Sequence, residues 1–136
     1  MSLKNFVIRS LVAAPLIAGG IGARSHADRI APALEGMADK VNDTTGLSVT
    51  GKQLALLHAD TLALGGATMA LGILPRLSAL GLLANLIPTT VVGHPFWKHS
   101  GAEFQEHLTG FLRNGAYVGG LLAVATGSLT AKKAAK

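Results

Sequence analysis

A few polar and ionisable side chains lie inside otherwise apolar stretches of this chain, and these residues could bind a ligand or react with one. His58 and Asp60 interrupt one apolar run, His94 ends another, and Arg113 and Asn114 interrupt a third. At 1.5 Å per residue, Asp60 and Arg113 lie at similar depths in their helices, roughly 10 and 8 Å. Because a lone charge at such a depth is costly, we expect Asp60 and Arg113 to form an ion pair, which could also serve only to fix helix register.

The sequence offers little support for chemistry carried out by the chain alone. It contains no cysteine, which excludes disulfides, thiolate metal sites and dithiol redox chemistry. No Ser-His-Asp, HExxH or phosphate-binding pattern is found. His58 and His94 could ligate a haem between two helices, but nothing else marks a haem site. We therefore expect no catalytic residue and no metal ligand, and at most an accessory part in an oxidoreductase.

The composition favours a membrane protein. The chain is 49% hydrophobic and only 14% charged, with a mean hydropathy of +0.44. Its net charge of +5 lies mostly at the termini and loops rather than on one basic face, so we expect no nucleic-acid binding. Since each helical crossing takes about 20 apolar residues, there is room for about four crossings in a single domain, residues 1–136.

The apolar runs predict an all-α fold, an integral membrane four-helix bundle with spans at about residues 6–23, 53–74, 77–94 and 108–128. The sequences TGKQ from Thr50 and SGAE from Ser100 match capping boxes, which start helices. Pro75 and Pro95 mark helix boundaries. Pro88 predicts a kink in the third span, which membrane helices tolerate when their neighbours satisfy the freed carbonyl group.

The stretch between the first two spans is polar but periodic. Ile30, Leu34, Met37 and Val41 recur at helical spacing, and charged residues occupy the other side. This pattern predicts an amphipathic interfacial helix on the membrane surface, followed by a loop at residues 42–46. A disordered loop throughout is the alternative.

The first span has a second interpretation. Its basic start, short apolar core and Ser25-His26-Ala27 resemble a signal peptide with its cleavage site. Pro15 and the glycines that follow it suit close packing between helices, so we expect the span to be retained. Four spans place both termini on one side, and because the shortest flanking segments are the most basic, we expect both termini in the cytoplasm.

Three stretches carry a family resemblance: GGIGAR, ALGGATMALGILPRLSALGLLANLIPTTVVGHPFW and FLRNGAYVGGLLAV. In this order they resemble the DoxX family of small four-helix bacterial membrane proteins, especially its actinobacterial branch. The resemblance implies a multi-pass protein of the bacterial plasma membrane and a link to sulfur oxidation and quinone reduction. With no cysteine to hold a sulfur intermediate, the chain is expected to have an accessory role.

Two functional hypotheses follow. In the first, the chain binds a quinone or another lipid-soluble molecule within a membrane redox assembly, through His94, Phe96, Trp97, Arg113, Asn114 and Tyr117. His94 would donate to a carbonyl oxygen, and Arg113 would stabilise the reduced anion; alternatively, His94 only caps its helix. In the second, the chain is a membrane scaffold that docks membrane or soluble partner proteins, or further copies of itself, through faces of small residues.

The topology is testable with reporter fusions. A carboxy-terminal reporter that is active only in the cytoplasm is expected to be active, because the basic flanks should stay on that side. Activity confined to a reporter that works only outside the cytoplasm would contradict the topology. An intact mass that lacks the first residues would favour the signal peptide.

Overall fold

The computed structural model describes residues 2–127, and every regular element in that range is helical. Five α-helices follow one another: α1 (Leu3–Ser25), α2 (Ala27–Thr45), α3 (Gly51–Leu71), α4 (Pro75–Gly93) and α5 (Gly101–Thr126). A short 3-10 turn, Phe96–Lys98, lies between α4 and α5. The all-α prediction is confirmed. The last residue of the predicted fourth span and the basic tail at residues 132–136 lie outside the described residues.

Helix α3 lies at the centre of the packing. It contacts α1 most extensively and also α2 and α4, whereas α5 packs along α4 and only lightly on α1. The largest fully buried side chains, Met69, Leu82 and Leu121, belong to α3, α4 and α5. They share one apolar core with Leu16 of α1, so a single cluster of side chains holds α1, α3, α4 and α5 together.

The α3–α4 hairpin is shaped by local backbone signals. The capping box predicted at Thr50 is present: Gln53 N donates to Thr50 Oγ1 (3.2 Å), and Thr50 N donates to Gln53 Oε1 (2.9 Å). Gly72 ends α3 in the left-handed conformation (φ 78°), three residues earlier than predicted. Pro75 is the first residue of α4, where its missing N–H costs nothing.

The start of α5 differs from the prediction. Ser100 is the N-cap residue, but its side chain makes no capping hydrogen bond. The carboxylate of Glu103 instead lies 3.1 Å from Nδ1 of His99, so it does not return to the N-cap backbone as a capping box requires. The helix boundary was therefore predicted correctly, but the capping box was not.

The predicted helix between the first two spans is present as α2, and it extends one turn further than expected. Its apolar positions, Ile30, Leu34, Met37 and Val41, are half-buried, and α2 packs on α3. The predicted loop residues 42–45 continue the helix, because Asn42 bonds through its side chain to both N and O of Val49 (2.7 and 2.9 Å). Gly46 (φ 71°) then ends the helix.

Within residues 2–127, three helical segments are long and apolar enough to cross a membrane: Leu3–Ser25, Gly51–Leu71 and Pro75–Lys98. They coincide with the first three predicted spans. Large apolar side chains cover their outer faces, among them Leu11, Leu57, Leu64, Leu80 and Ile87. Helix α5 does not reach the same apolarity; Arg113 and Asn114 lie at its middle and its first turns are polar. These features indicate a membrane protein with at least three candidate spans.

The ion pair expected between Asp60 and Arg113 is not found among residues 2–127. Asp60 instead pairs with Arg24, the residue before the last of α1. Since α1 and α3 are antiparallel neighbours, the end of α1 meets the first half of α3, whereas α5 contacts α4. Asp60 does meet a cation, but the order of helices around the bundle decides which cation it meets.

The ion pair is testable by two double-mutant cycles in detergent micelles. We expect Arg24→Gln and Asp60→Asn to be coupled by roughly 0.2–1 kcal/mol, the range for exposed pairs, because the side chains are 58% and 44% exposed. The cycle of Asp60→Asn with Arg113→Gln should be additive. Coupling in the second cycle and additivity in the first would show that Asp60 pairs with Arg113, as the sequence predicted.

Small residues allow α1 and α3 to approach each other closely. A Cβ atom added to Gly20 would come within 2.6 Å of Ala59 O and Ala63 N, both backbone atoms of α3. A Cβ atom added to Gly66 would collide with the side chain of Ile17. The neighbouring Gly19 has open space instead. Only one of these two adjacent glycines is therefore required by packing.

This difference gives a matched pair of variants. Gly20→Ala is expected to destabilise the fold by about 1–3 kcal/mol, because the opposing backbone cannot move aside. Gly19→Ala is expected to be neutral or to stabilise by up to about 1 kcal/mol through helix propensity. Denaturant titration of both variants in the same detergent measures the difference, and equal stabilities would show that α1 and α3 do not meet at Gly20.

Candidate functional site

A cavity of about 460 Å³ lies between α1, α3, α4 and α5. Helices α1 and α5 approach each other near Val12 and Gly120, where an added Cβ would lie only 3.0 Å from a Val12 methyl group. One to two turns away, the same two helices line opposite walls of the cavity. The wall residues are Pro15, Leu16, Gly19, His58, Leu62, Leu86, Thr89, His94, Arg113, Asn114 and Tyr117.

The structure brings together four of the six residues predicted to bind a ligand. His94, Arg113, Asn114 and Tyr117 all line this cavity. The other two predicted residues, Phe96 and Trp97, do not line it.

Phe96 and Trp97 belong to an aromatic cluster on the 3-10 turn. Their rings contact each other edge to face at 5.1 Å, and both contact the ring of Phe111 on α5, at 5.2 and 6.3 Å. These contacts hold the turn against α5, which explains why the two rings are directed away from the cavity. The sequence placed them correctly at the end of α4 but could not show which side of α5 they would cover.

His94 occupies a notch that a glycine provides. Its backbone N–H donates to Thr90 O (3.0 Å) as the last bond of α4, so the residue does cap its helix. The imidazole lies directly against Gly110 of α5, where any Cβ atom would overlap the ring. His94, Gly110 and Arg113 also line a second cavity, of about 390 Å³. Gly110 is therefore a positioning residue that sequence reasoning missed.

His58 is held by Asn85, a contact that the sequence did not reveal. Nδ1 of His58 lies 2.5 Å from Asn85 Oδ1, and Asn85 Nδ2 donates to the backbone oxygen of His58 (3.1 Å). The side chain of Asn85 therefore joins α4 to α3. The sequence feature that could have predicted this contact is an amide side chain in an apolar helix whose antiparallel partner helix carries a histidine.

Asn114 is fixed by a chain of hydrogen bonds to α4. The hydroxyl of Thr90 donates to Leu86 O (2.6 Å) and accepts from Asn114 Nδ2 (3.1 Å). Thr90 is buried, so this hydrogen bond between α4 and α5 is shielded from solvent. Asn114 is thereby oriented before any ligand enters.

The cavity is amphipathic and has no acidic residue in its wall. Leu16, Leu62 and Leu86 supply apolar surface, while Arg113 adds a positive charge, and histidine, asparagine, threonine and tyrosine side chains add polar atoms. Residues 2–127 contain no group of three histidine, cysteine or acidic side chains arranged to hold a metal ion. Such a wall can bind a molecule with an apolar body and a polar head. The haem alternative stays a prediction.

Comparison with known proteins corrects the resemblance drawn from the sequence. Neither curated proteins nor solved structures give a match. The family model that matches is described as HR-like lesion-inducing and covers residues 16–125, well over half of the chain. The DoxX assignment is therefore wrong, because the apolar pattern and Gly-His-Pro-Phe-Trp motif on which it rested are not specific to that family. The chain belongs to the HR-like lesion-inducing family.

Proposed function

We propose that this chain is a four-span membrane protein whose function is to bind a lipid-soluble, amphipathic molecule in the cavity between α1 and α5. It performs no chemistry of its own on that molecule. The proposal keeps the lipid-binding part of the first functional hypothesis. It omits the redox assembly, since the family description supplies no redox role and the resemblance that suggested one has been corrected.

The observation that carries the proposal is the combination of size and wall chemistry in one cavity. Its volume of about 460 Å³ falls within the roughly 300–1,000 Å³ of ordinary small-molecule sites. Its polar wall contains Arg113 but no carboxylate, so the head of the ligand must offer an oxygen or another electron-rich atom. A quinone and a lipid with an oxygen-containing head are both of this class.

The proposal takes α5 as the fourth span. Helix α5 packs along α4, which supports a crossing, and the two strongly polar residues at its middle, Arg113 and Asn114, line the cavity. Their position at the cavity is the arrangement expected for polar residues at membrane depth. The interfacial placement of α2, the cytoplasmic termini and the bacterial plasma membrane stay predictions.

The proposal can be tested by filling the cavity. Gly19 lines the cavity with open space beside it, so Gly19→Leu should occupy the volume without disturbing the packing of α1 on α3. Gly81→Leu is the matched control, because Gly81 also has open space but does not line the cavity. The protein is purified in mild detergent, and the apolar molecules that remain bound are extracted and quantified by mass spectrometry. Binding of decylubiquinone, oxidised and reduced, is measured alongside.

We expect the wild type and Gly81→Leu to carry the same bound molecule, and Gly19→Leu to lose most of it. Equal retention in all three proteins would show that the bound molecule is only detergent or annular lipid on the outer surface. If the wild type carries nothing and binds neither form of decylubiquinone, ligand binding is excluded and the scaffold hypothesis takes its place.

A further inference from the structure

The hydrogen-bonding character of the cavity is determined by residues on α4. Asn85 Nδ2 donates to the backbone oxygen of His58 (3.1 Å), and only the amide nitrogen can donate to a carbonyl group. This bond fixes the orientation of the Asn85 amide. Its Oδ1 atom must then be the atom that faces Nδ1 of His58, at 2.5 Å.

The orientation of Asn85 determines the tautomer of His58. Because Asn85 Oδ1 can only accept, Nδ1 of His58 carries the proton. In the neutral form of the ring, the only N–H is then at Nδ1, and Nε2 is an acceptor. Within residues 2–127 no group donates to Nε2, and the side chain lines the cavity.

Asn114 offers a second acceptor by the same reasoning. The Thr90 hydroxyl donates its single proton to Leu86 O (2.6 Å), so it can only accept from Asn114. The atom of Asn114 that faces Thr90 is therefore Nδ2, and Oδ1 has no donor within the described part of the chain. Both residues belong to the wall of one cavity.

We propose that the cavity recognises the hydroxyl group of a lipid-soluble phenol or alcohol, which donates its proton to His58 Nε2 or Asn114 Oδ1. This inference rests on the proposed function, since it names the head group of the molecule that the cavity binds. A head group with carbonyl oxygens alone would bring acceptors against acceptors and leave a buried lone pair unsatisfied. Arg113 can still donate to the oxygen of the same hydroxyl or to a second oxygen on the ligand.

The test compares ligands that differ only in the hydroxyl proton. The dissociation constants of 4-decylphenol and 4-decylanisole, its methyl ether, are measured for the full-length protein in detergent micelles. We expect the phenol to bind about tenfold more tightly, the effect of one hydrogen bond to an otherwise unsatisfied acceptor. A second pair, 1-decanol and decyl methyl ether, distinguishes an aliphatic lipid alcohol from a phenol or quinol as the ligand. Equal discrimination in both pairs points to an aliphatic lipid alcohol, and discrimination in the first pair alone points to a phenol or quinol.

Variants separate this role from a structural one. Asn85→Ala removes the group that sets the tautomer of His58, and Asn114→Leu removes the second acceptor. At least one of the two variants should reduce the preference for the phenol at least threefold. Ser78→Ala is the matched control: it removes a hydrogen bond between the same two helices, Ser78 Oγ to Thr68 Oγ1 (2.9 Å), away from the cavity. Should Asn85→Ala fail to fold, His58→Phe, which keeps the ring, gives the same readout.

Two results would overturn the inference in different ways. Equal binding of phenol and anisole by the wild type, or full discrimination in both His58→Phe and Asn114→Leu, would exclude hydroxyl recognition but leave the cavity as a ligand site. If no member of either pair binds and decylubiquinone is not bound either, the proposed function fails together with the inference.

Discussion

The close approach of α1 to α3 is the constraint on which the rest of the structure depends. At Gly20 the backbones of the two helices are so near that no side chain fits between them. Because α3 also carries α2 on one side and α4 on another, the position of α3 determines the position of every other helix except α5. Helix α5 is held mainly by α4 and touches α1 only lightly, and the cavity is the space that this unequal packing leaves.

The polar contacts between helices fall into two groups, one between α1 and α3 and one that involves α4. Arg24 and Asp60 stabilise the well-packed α1–α3 contact near its exposed end. Asn85, Thr90 and Asn114 join helices on the other side, where apolar contact is less extensive. Interhelical hydrogen bonds contribute to association where lipid reduces the hydrophobic driving force. They also hold the cavity wall in one arrangement.

Local signals made much of the fold predictable. The capping box at Thr50, the amphipathic pattern of α2 and the apolar runs each act within a few residues, and each predicted a helix that is present. Pro75 was expected in the turn before a helix that starts at residue 77, whereas it is the first residue of α4. Partners across helices were not predictable in the same way. Asp60 pairs with Arg24 because α1 is the neighbour of α3, and a single sequence gives depth along a helix but not the order of helices around an axis.

The candidate site shows the same limit. His94, Arg113, Asn114 and Tyr117 converge as expected because they lie at similar depth on adjacent helices. Phe96 and Trp97 were misjudged, since a turn of three residues can direct a ring to either side of the next helix. Gly110 was missed because its role depends on the side chain that faces it. The family assignment failed for a related reason. Apolar patterns and short motifs indicate a membrane environment and a number of helices, but they are less informative about the family.

The α3–α4 hairpin has a consequence for how such a chain enters a bilayer. Its two helices are joined by residues 72–74, and its polar groups satisfy one another across the hairpin, His58 with Asn85 and Thr68 with Ser78. A lone helix would carry these groups into lipid unpaired, whereas the hairpin carries them already bonded and at less cost. The bond between His58 and Asn85 can therefore form within the hairpin alone, whereas Asn114 takes its position only when α5 packs on α4.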